Sequence, residues 1–528
     1  MAALHLSLPL LPLCKRQKAI LTSSASSTTV RSSVKGNVIK CSHCTSDANS
    51  SLSINRRNAN YQPTIWHDSY IQSLQIGFTE EKYISRRREL IEDVRSLIRQ
   101  PRGVIQQLEL FDTLRQIGVA YHFEMEIKDL LSSMVSSIKD SIRNIVQENL
   151  HGTFLLFRIL REYGISTTHF SYLHVKDIIT SLFKEQNVDF NSDIEHDVKG
   201  LLSMYEASFL AMEGEDELDD ARKFAIEQLS KKRRSLISNS LPAEQIDYSL
   251  DLPLHWRMPR LHARWFINFY ERQEHMNPTL LEFAKLDFNI VQSIYKKELK
   301  EESRWKIPAC QQIPEYMLKP LVALFDTVND IASIYSKDKG LDILTYLKRV
   351  WSDLCNAYLV ESRWYYDEYI PTLDEYLENA LVSISGICEL NAAYCLSEDL
   401  STDALNAYEF YPSVVRSSCL ICRLYNDLTT STEEMERGDI SKSIQSYMKE
   451  SYVSELVARE YIKDLISSSW KKLNGEALNA SNDIKSFRKT LLDMPRTAQF
   501  FYQNGDRYAI QHLETKDYIT SLIIEPIS

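Results

Sequence analysis

Residues 127–138 read Ile127-Lys128-Asp129-Leu130-Leu131-Ser132-Ser133-Met134-Val135-Ser136-Ser137-Ile138. Ile127, Leu130, Leu131, Met134 and Ile138 recur at intervals of three and four, so on a helix they fall on one face and the intervening serines on another. Similar stripes recur to the C-terminus, and no sustained two-residue alternation of strand type interrupts them. Only 13 Gly and 15 Pro punctuate 528 residues, 44% of them apolar, a composition suited to long helices around large cores. The spacing predicts an all-α fold, and the length predicts two domains. Their junction is expected at Leu252-Pro253-Leu254-His255-Trp256-Arg257-Met258-Pro259, because proline and the residue before it both resist helix.

A formal net charge of −11 argues against nucleic-acid binding, which needs clustered Lys and Arg, and points to small-molecule partners. Nine cysteines in a chain this long form no dense disulfide pattern and fit a reducing interior. Residues 1–55 differ from the rest: Ser23, Ser24, Ser26, Ser27, Thr28 and Thr29 accompany Lys15, Arg16, Lys18, Arg31, Lys35 and Lys40, with Asp47 the only acid. This is the pattern of an organelle transit peptide. A secretory signal is the rival, since Leu4 to Leu13 is mostly apolar, but here the charges follow that run instead of preceding it. No later stretch approaches the ~20 apolar residues that span a bilayer.

The strongest local signal is Asn426-Asp427-Leu428-Thr429-Thr430-Ser431-Thr432-Glu433-Glu434. On a helix Asn426, Thr430 and Glu434 lie four apart and project an amide oxygen, a hydroxyl and a carboxylate from one face. Such hard oxygen ligands suit Mg²⁺, which completes its coordination with water and substrate phosphate. A polar face on an arbitrary helix is more often simply solvated. Here the preceding Ser417-Ser418-Cys419-Leu420-Ile421-Cys422 is apolar or small all round, so the stripe emerges from a helix expected to be buried. Arg423 precedes Asn426 by three residues on nearly the same face, where a guanidinium can grip a diphosphate bidentately.

Other signals are weaker. Arg56-Arg57, with Trp66 nine residues on, would by itself be the basic end of a leader. Cys41-x-x-Cys44 with His43 has no second pair to complete a zinc site. Cys419-x-x-Cys422 suits packing, Lys231-Lys232-Arg233-Arg234 a solvated helix segment, and Asp219-Asp220 is followed by Lys223 where an aspartate-rich box would need a third acid.

Taken in order, Arg56-Arg57 through Trp66, Tyr205-Glu206-Ala207-Ser208-Phe209-Leu210, Leu252 to Phe266, Arg423 through Glu434 with Arg437-Gly438-Asp439, and Phe501 to Asp506 resemble plant terpene synthases of the monoterpene branch. The resemblance implies an N-terminal α-helical barrel over 56–250 and a C-terminal class I terpenoid-synthase helical bundle over 251–528. It implies a plastid-targeted monomer that ionises geranyl diphosphate with Mg²⁺ or Mn²⁺ and rearranges the resulting cation to a monoterpene. Metal and cationic groups would take up the charge developing on diphosphate, and aromatic faces would stabilise the carbocation. By resemblance Asn426, Thr430 and Glu434 are the second metal motif, and Arg423 and Asn426 contact substrate. Arg56 and Arg57 match the tandem arginines associated with isomerising geranyl to linalyl diphosphate, and Asp506 and Tyr508 fall near the pocket lid. Arg507 replaces the usual small residue between the last two.

One departure is large. After Ser303-Arg304-Trp305 the family continues into an arginine pair, a pocket tryptophan and the aspartate-rich metal motif. Here Trp305-Lys306 runs directly into Ile307-Pro308-Ala309-Cys310-Gln311-Gln312-Ile313-Pro314-Glu315-Tyr316-Met317, which resembles the segment well beyond that motif. Asp326-Thr327-Val328-Asn329-Asp330 resembles a following helix, where the family has no ligand. The bundle is therefore expected to be incomplete, with ligands for one metal ion where the family uses three. Losing even one charge-stabilising group costs 10²- to 10³-fold in rate, and losing packed helices exposes apolar faces. The expectation is little or no cyclase activity and poor folding. A catalytically inactive isoprenoid-diphosphate binder is the alternative, and dimethylallyl or farnesyl diphosphate the alternative substrates.

Overall fold

A computed structural model of the chain describes residues 65–137, 149–165, 197–238, 240–302, 322–333, 343–397, 411–480, 484, 487–507 and 513–528. Among them every regular element is helical and no strand occurs. The leader, Arg56, Arg57, Ile138, the Trp305-to-Met317 junction and Tyr508 lie outside the described residues.

The first layer runs through α1 (Asp68–Ser73), α2 (Glu81–Arg99), α3 (Val104–Gln116), α4 (Glu124–Ser137), α5 (Leu150–Glu162), α6 (Val198–Ser208), α7 (Glu217–Ser235) and α8 (Leu241–Asp251). Ile127, Leu130, Leu131 and Met134 form the inner face of α4, where Ile127 and Leu131 are fully buried and Leu130 and Met134 pack against the same core. After α8 the helix breaks as expected at Leu252. Leu254–Trp256 makes one 3₁₀ turn instead of extended chain, and Pro259 opens α9 (Pro259–Glu271) from its first position, where its missing N–H costs nothing. α10 (Pro278–Glu302) follows. Phe266, Phe269, Phe283 and Phe288 of these two helices join the same core as α2–α7, together with Leu522 and Ile527 near the C-terminus.

A second core is built by α11 (Leu344–Tyr366), α12 (Leu373–Ser383), α13 (Gly386–Cys395), α14 (Ser413–Glu436), α15 (Ser443–Ser451), α16 (Glu455–Leu478) and α17 (Arg488–Tyr502). α18 (Leu513–Ile519) leads into a π-helical turn, Thr520–Ile524. The start of α12 is written in sequence: Thr372 accepts from the Glu375 amide at 3.2 Å and the Glu375 carboxylate accepts from the Thr372 amide at 2.9 Å, a reciprocal cap.

The two cores meet around Trp470 of α16, 1% exposed, which stacks on Trp256 at 5.6 Å and donates its indole N–H to the Tyr425 hydroxyl at 3.2 Å. One turn on, the Asn474 amide donates to the carbonyls of Phe209 and Ala211 and its oxygen meets His255 Nε2 at 2.8 Å. Asp219 pairs with Arg222 and, at 2.5 Å, with Lys471, so the acid pair Asp219-Asp220 is committed in part to joining the cores. Lys231 is exposed and paired with Glu227, the solvated role expected of that basic run.

Candidate metal site

α14 carries the site because its two halves differ. Val415, Cys419, Ile421, Cys422 and Leu424 are buried in the second core, whereas from Asn426 onward one face becomes polar. Burial pushes the Cys419 and Cys422 thiols up, so both are packing groups and not thiolate ligands. The helix ends by a defined device. Gly438 takes φ +76°, its amide bonds the Met435 carbonyl at 2.9 Å, and the Asp439 amide bonds the Glu434 carbonyl at 2.9 Å. This double closure needs a residue free to adopt positive φ, which glycine supplies. The chain thus turns back one residue after Arg437, and Lys442 returns alongside the last turn.

The three predicted ligands share the expected face. Thr430 is buried and donates its hydroxyl to the Asn426 carbonyl at 3.0 Å, which leaves the hydroxyl lone pairs as acceptors. Glu434 is mostly enclosed; its Oε2 is buried, accepts no hydrogen bond, and lies 3.4 Å from the ammonium of the buried Lys442, which also lies 4.0 Å from Asp439. Asn426 is half-buried beside the Tyr502 phenol. Burial and then the negative field of Asp506 push that phenol up, while the hydrogen bond with Asn426 opposes them. Thr429 donates to the Tyr502 carbonyl at 2.8 Å and fixes α17 to the same turn.

A buried carboxylate oxygen without a hydrogen bond, a hydroxyl acceptor and an amide at successive turns fit a hard divalent cation. The surrounding positive groups fit a polyanion bound beside it. Among the described residues no cluster of three His, Cys, Asp or Glu capable of holding a metal occurs, so no second acidic site accompanies this one there. Asp326 and Asp330 are exposed on a helical stretch, 322–333.

Arg423 is placed less simply than predicted. Its Nε and Nη2 both donate to Oδ1 of Asp427, at 2.8 and 2.6 Å, inside the protein. Burial alone disfavours its charge, yet the Asp427 carboxylate and the Tyr376 phenol outweigh that and hold the guanidinium pKa well above the usual value. Sequence reasoning passed over Asp427, Tyr376 and Lys442. The 423-to-427 spacing is a readable i,i+4 ion pair; Tyr376, 51 residues away on α12, left no signal.

The family model described as "Terpene synthase, N-terminal domain" matches residues 65–250, and "Terpene synthase family, metal binding domain" matches 299–472, which contains all of α14 and Lys442. The chain is 38% identical to monoterpene synthase 7, chloroplastic, of Hedychium coronarium, with 89% of this chain and 91% of that protein covered. It is 37% identical to a chloroplastic myrcene synthase of Quercus ilex, with 89% and 90% covered. Among solved structures, limonene synthase with 2-fluorolinalyl diphosphate superposes with a TM-score of 0.79 at 32% identity, covering 90% of this chain and 100% of that one. Isoprene synthase of grey poplar (Populus x canescens), in complex with three Mg²⁺ ions and dimethylallyl-S-thiolodiphosphate, gives 0.72 at 30% identity, covering 88% and 99%. With its two-domain class I terpenoid cyclase fold, the chain belongs to the terpene synthase family.

Proposed function

We propose that this chain is a plastid lyase of the monoterpene synthase type that engages geranyl diphosphate with Mg²⁺ or Mn²⁺ as a monomer, and that in its present form it turns that substrate over slowly. The observation that carries the first half is the α14 face: Asn426, Thr430 and Glu434 as one ligand set, with Lys442 and Arg423 beside it. When bound there, the metal ion supplies Lewis-acid neutralisation of the departing diphosphate. Glu434 and Thr430 would hold it, Lys442 would exchange its contact with Glu434 for one with phosphate oxygen, and Arg423 would present the edge it does not spend on Asp427. Tyr502 and Asp506 close the Asn426 side. Arg56, Arg57 and Tyr508 would act on the substrate as isomerisation and lid groups.

The compartment follows the two chloroplastic relatives named above, and their names as a monoterpene synthase and a myrcene synthase support geranyl diphosphate as the substrate proposed here. The division into a leader over 1–55, an N-terminal domain over 56–250 and a C-terminal domain over 251–528 is part of the same proposal; the two family models match 65–250 and 299–472. The second half of the proposal rests on the chain between Lys306 and Ile307. The alignment with the Hedychium coronarium relative extends over 550 positions although this chain has 528 residues, so stretches of that relative have no counterpart here. On α11, Tyr358 and Leu359 are each 49% exposed and Tyr366 is 80% exposed, and Phe325 on the preceding helical stretch is 67% exposed. Such apolar surface is what removal of packed neighbours leaves. The same observations favour binding without turnover as the second reading.

Calorimetry of the full chain with Mg²⁺ and a non-hydrolysable geranyl diphosphate analogue tests the site. Wild type should bind, and Glu434→Ala should lose the Mg²⁺-dependent part. Equal binding by both proteins would remove Glu434 from the site.

A further inference from the structure

Asp427 is 0% exposed, yet it is neither one of the three predicted ligands nor unpartnered. Its Oδ1 accepts from Nε and Nη2 of Arg423 and, at 3.0 Å, from the hydroxyl of Tyr376 on α12. Its Oδ2 accepts from the Ser443 amide at 3.2 Å, the first N–H of α15. One carboxylate therefore ties α14 to α12 and to the start of the helix whose preceding residue is Lys442. A carboxylate at a helix N-terminus is also favourably placed against the helix dipole. Tyr376 is itself fully buried, and burial, opposed by the Arg423 charge and aided by that of Asp427, holds its phenol well above the usual range, so it stays a donor.

We propose that Asp427 is the positioning residue of the diphosphate site: through Arg423 it sets the guanidinium, and through Ser443 it sets Lys442, so that both cations face the position a diphosphate takes beside Glu434. This rests on the functional reading above. The geometry gives the reason. A buried guanidinium held on one edge by a carboxylate keeps one orientation, and its remaining edge is presented at no further cost in rotamer freedom. Lys442 is on a turn between the Gly438 closure and the first turn of α15, and the Asp427–Ser443 bond fixes where that turn ends. Asp427 thus acts on a ligand it does not touch.

The test is calorimetric titration of the full chain with inorganic diphosphate at fixed Mg²⁺, comparing wild type, Asp427→Asn, Tyr376→Phe, Arg423→Gln and the Tyr376→Phe/Arg423→Gln double variant, each checked by thermal melting. Removing a hydrogen bond to a charged group predicts roughly tenfold weaker diphosphate binding for Tyr376→Phe and more for Asp427→Asn. In the Arg423→Gln background Tyr376→Phe should cost markedly less, because the part of its effect routed through that arginine is already lost. A general loss of packing would lower binding by the same factor in both backgrounds. If Asp427→Asn fails to fold, Tyr376→Phe decides. Folded variants that bind like wild type, or losses that simply add, overturn the proposal and leave the site itself standing. A wild type that binds no Mg²⁺–diphosphate overturns the site and the proposal together.

Discussion

Replacing Trp470 by alanine should destabilise the protein by about 4–6 kcal/mol. The side chain is almost fully buried, stacked on Trp256 with an interplanar angle of 20° and set edge-on to His255 at 5.5 Å. Truncating a buried tryptophan or phenylalanine costs about 3–5 kcal/mol through lost contacts and the cavity left behind. The indole N–H also satisfies the buried hydroxyl of Tyr425, and leaving such a group without its partner adds roughly 1–3 kcal/mol, not all of it independent of the first term. Trp470→Phe keeps the stack but loses the N–H and some volume, so about 1–3 kcal/mol is expected. Urea unfolding followed by circular dichroism, at equal protein concentration and without Mg²⁺, reads both values. Because a domain holds only about 5–15 kcal/mol, the alanine variant should unfold at a visibly lower midpoint. A loss under about 1 kcal/mol for alanine, or equal losses for alanine and phenylalanine, would refute Trp470 as the joint between α14, α16 and the Leu254–Trp256 turn.

Acid sensitivity should begin near pH 6.5. His255 and His262 are buried, and burial first, then Arg496 for His255 and Arg257 for His262, holds both well below the usual histidine range. The unfolded chain therefore binds more protons as pH falls through about 6.5, and stability should drop with falling pH by up to about 1.4 kcal/mol per pH unit for each histidine, the slope from them fading to nothing above about pH 8. Denaturation midpoints from pH 5 to 7.5 for wild type and His255→Asn should show a shallower slope in the variant; an unchanged slope contradicts this. Alkylation of native protein followed by peptide mapping should label Cys355, which is exposed, before Cys388, Cys395, Cys419 or Cys422, whose thiols burial pushes up, Cys388 and Cys395 to about 12. Early labelling of Cys419 would show that α14 is not packed as described. Gly438→Ala should cost about 1 kcal/mol or more, since φ +76° suits glycine, and should weaken Mg²⁺-dependent diphosphate binding by displacing Lys442; unchanged binding would separate that turn from the site.

Much of the fold was legible because helical periodicity is local: the α4 stripe, the polar face of α14 and the break after Leu252 each appear within a dozen residues. The 3₁₀ turn at Leu254–Trp256 was not, since its geometry is decided by packing against Trp470 and Phe209, hundreds and tens of residues away. The same division runs through the candidate site. Asn426, Thr430 and Glu434 announce themselves by their spacing, whereas the hold of Tyr376 on Asp427 and of Lys442 on Glu434 exists only once α12 and α15 dock on α14. Arg423 shows the intermediate case. Its presence near the motif was readable, but its commitment of one edge to Asp427 reflects a buried charge that must be paired.

The measurement that bears most directly on the account is the rate at which the purified chain converts geranyl diphosphate with Mg²⁺, set beside a variant carrying a family segment inserted between Lys306 and Ile307. The account predicts diphosphate release by the unmodified chain at least about 10²-fold slower than by the restored one, because stabilising groups for the departing diphosphate are absent. Equal rates, with Glu434→Ala abolishing both, would contradict the claim that the missing segment limits catalysis and would leave the α14 face sufficient by itself.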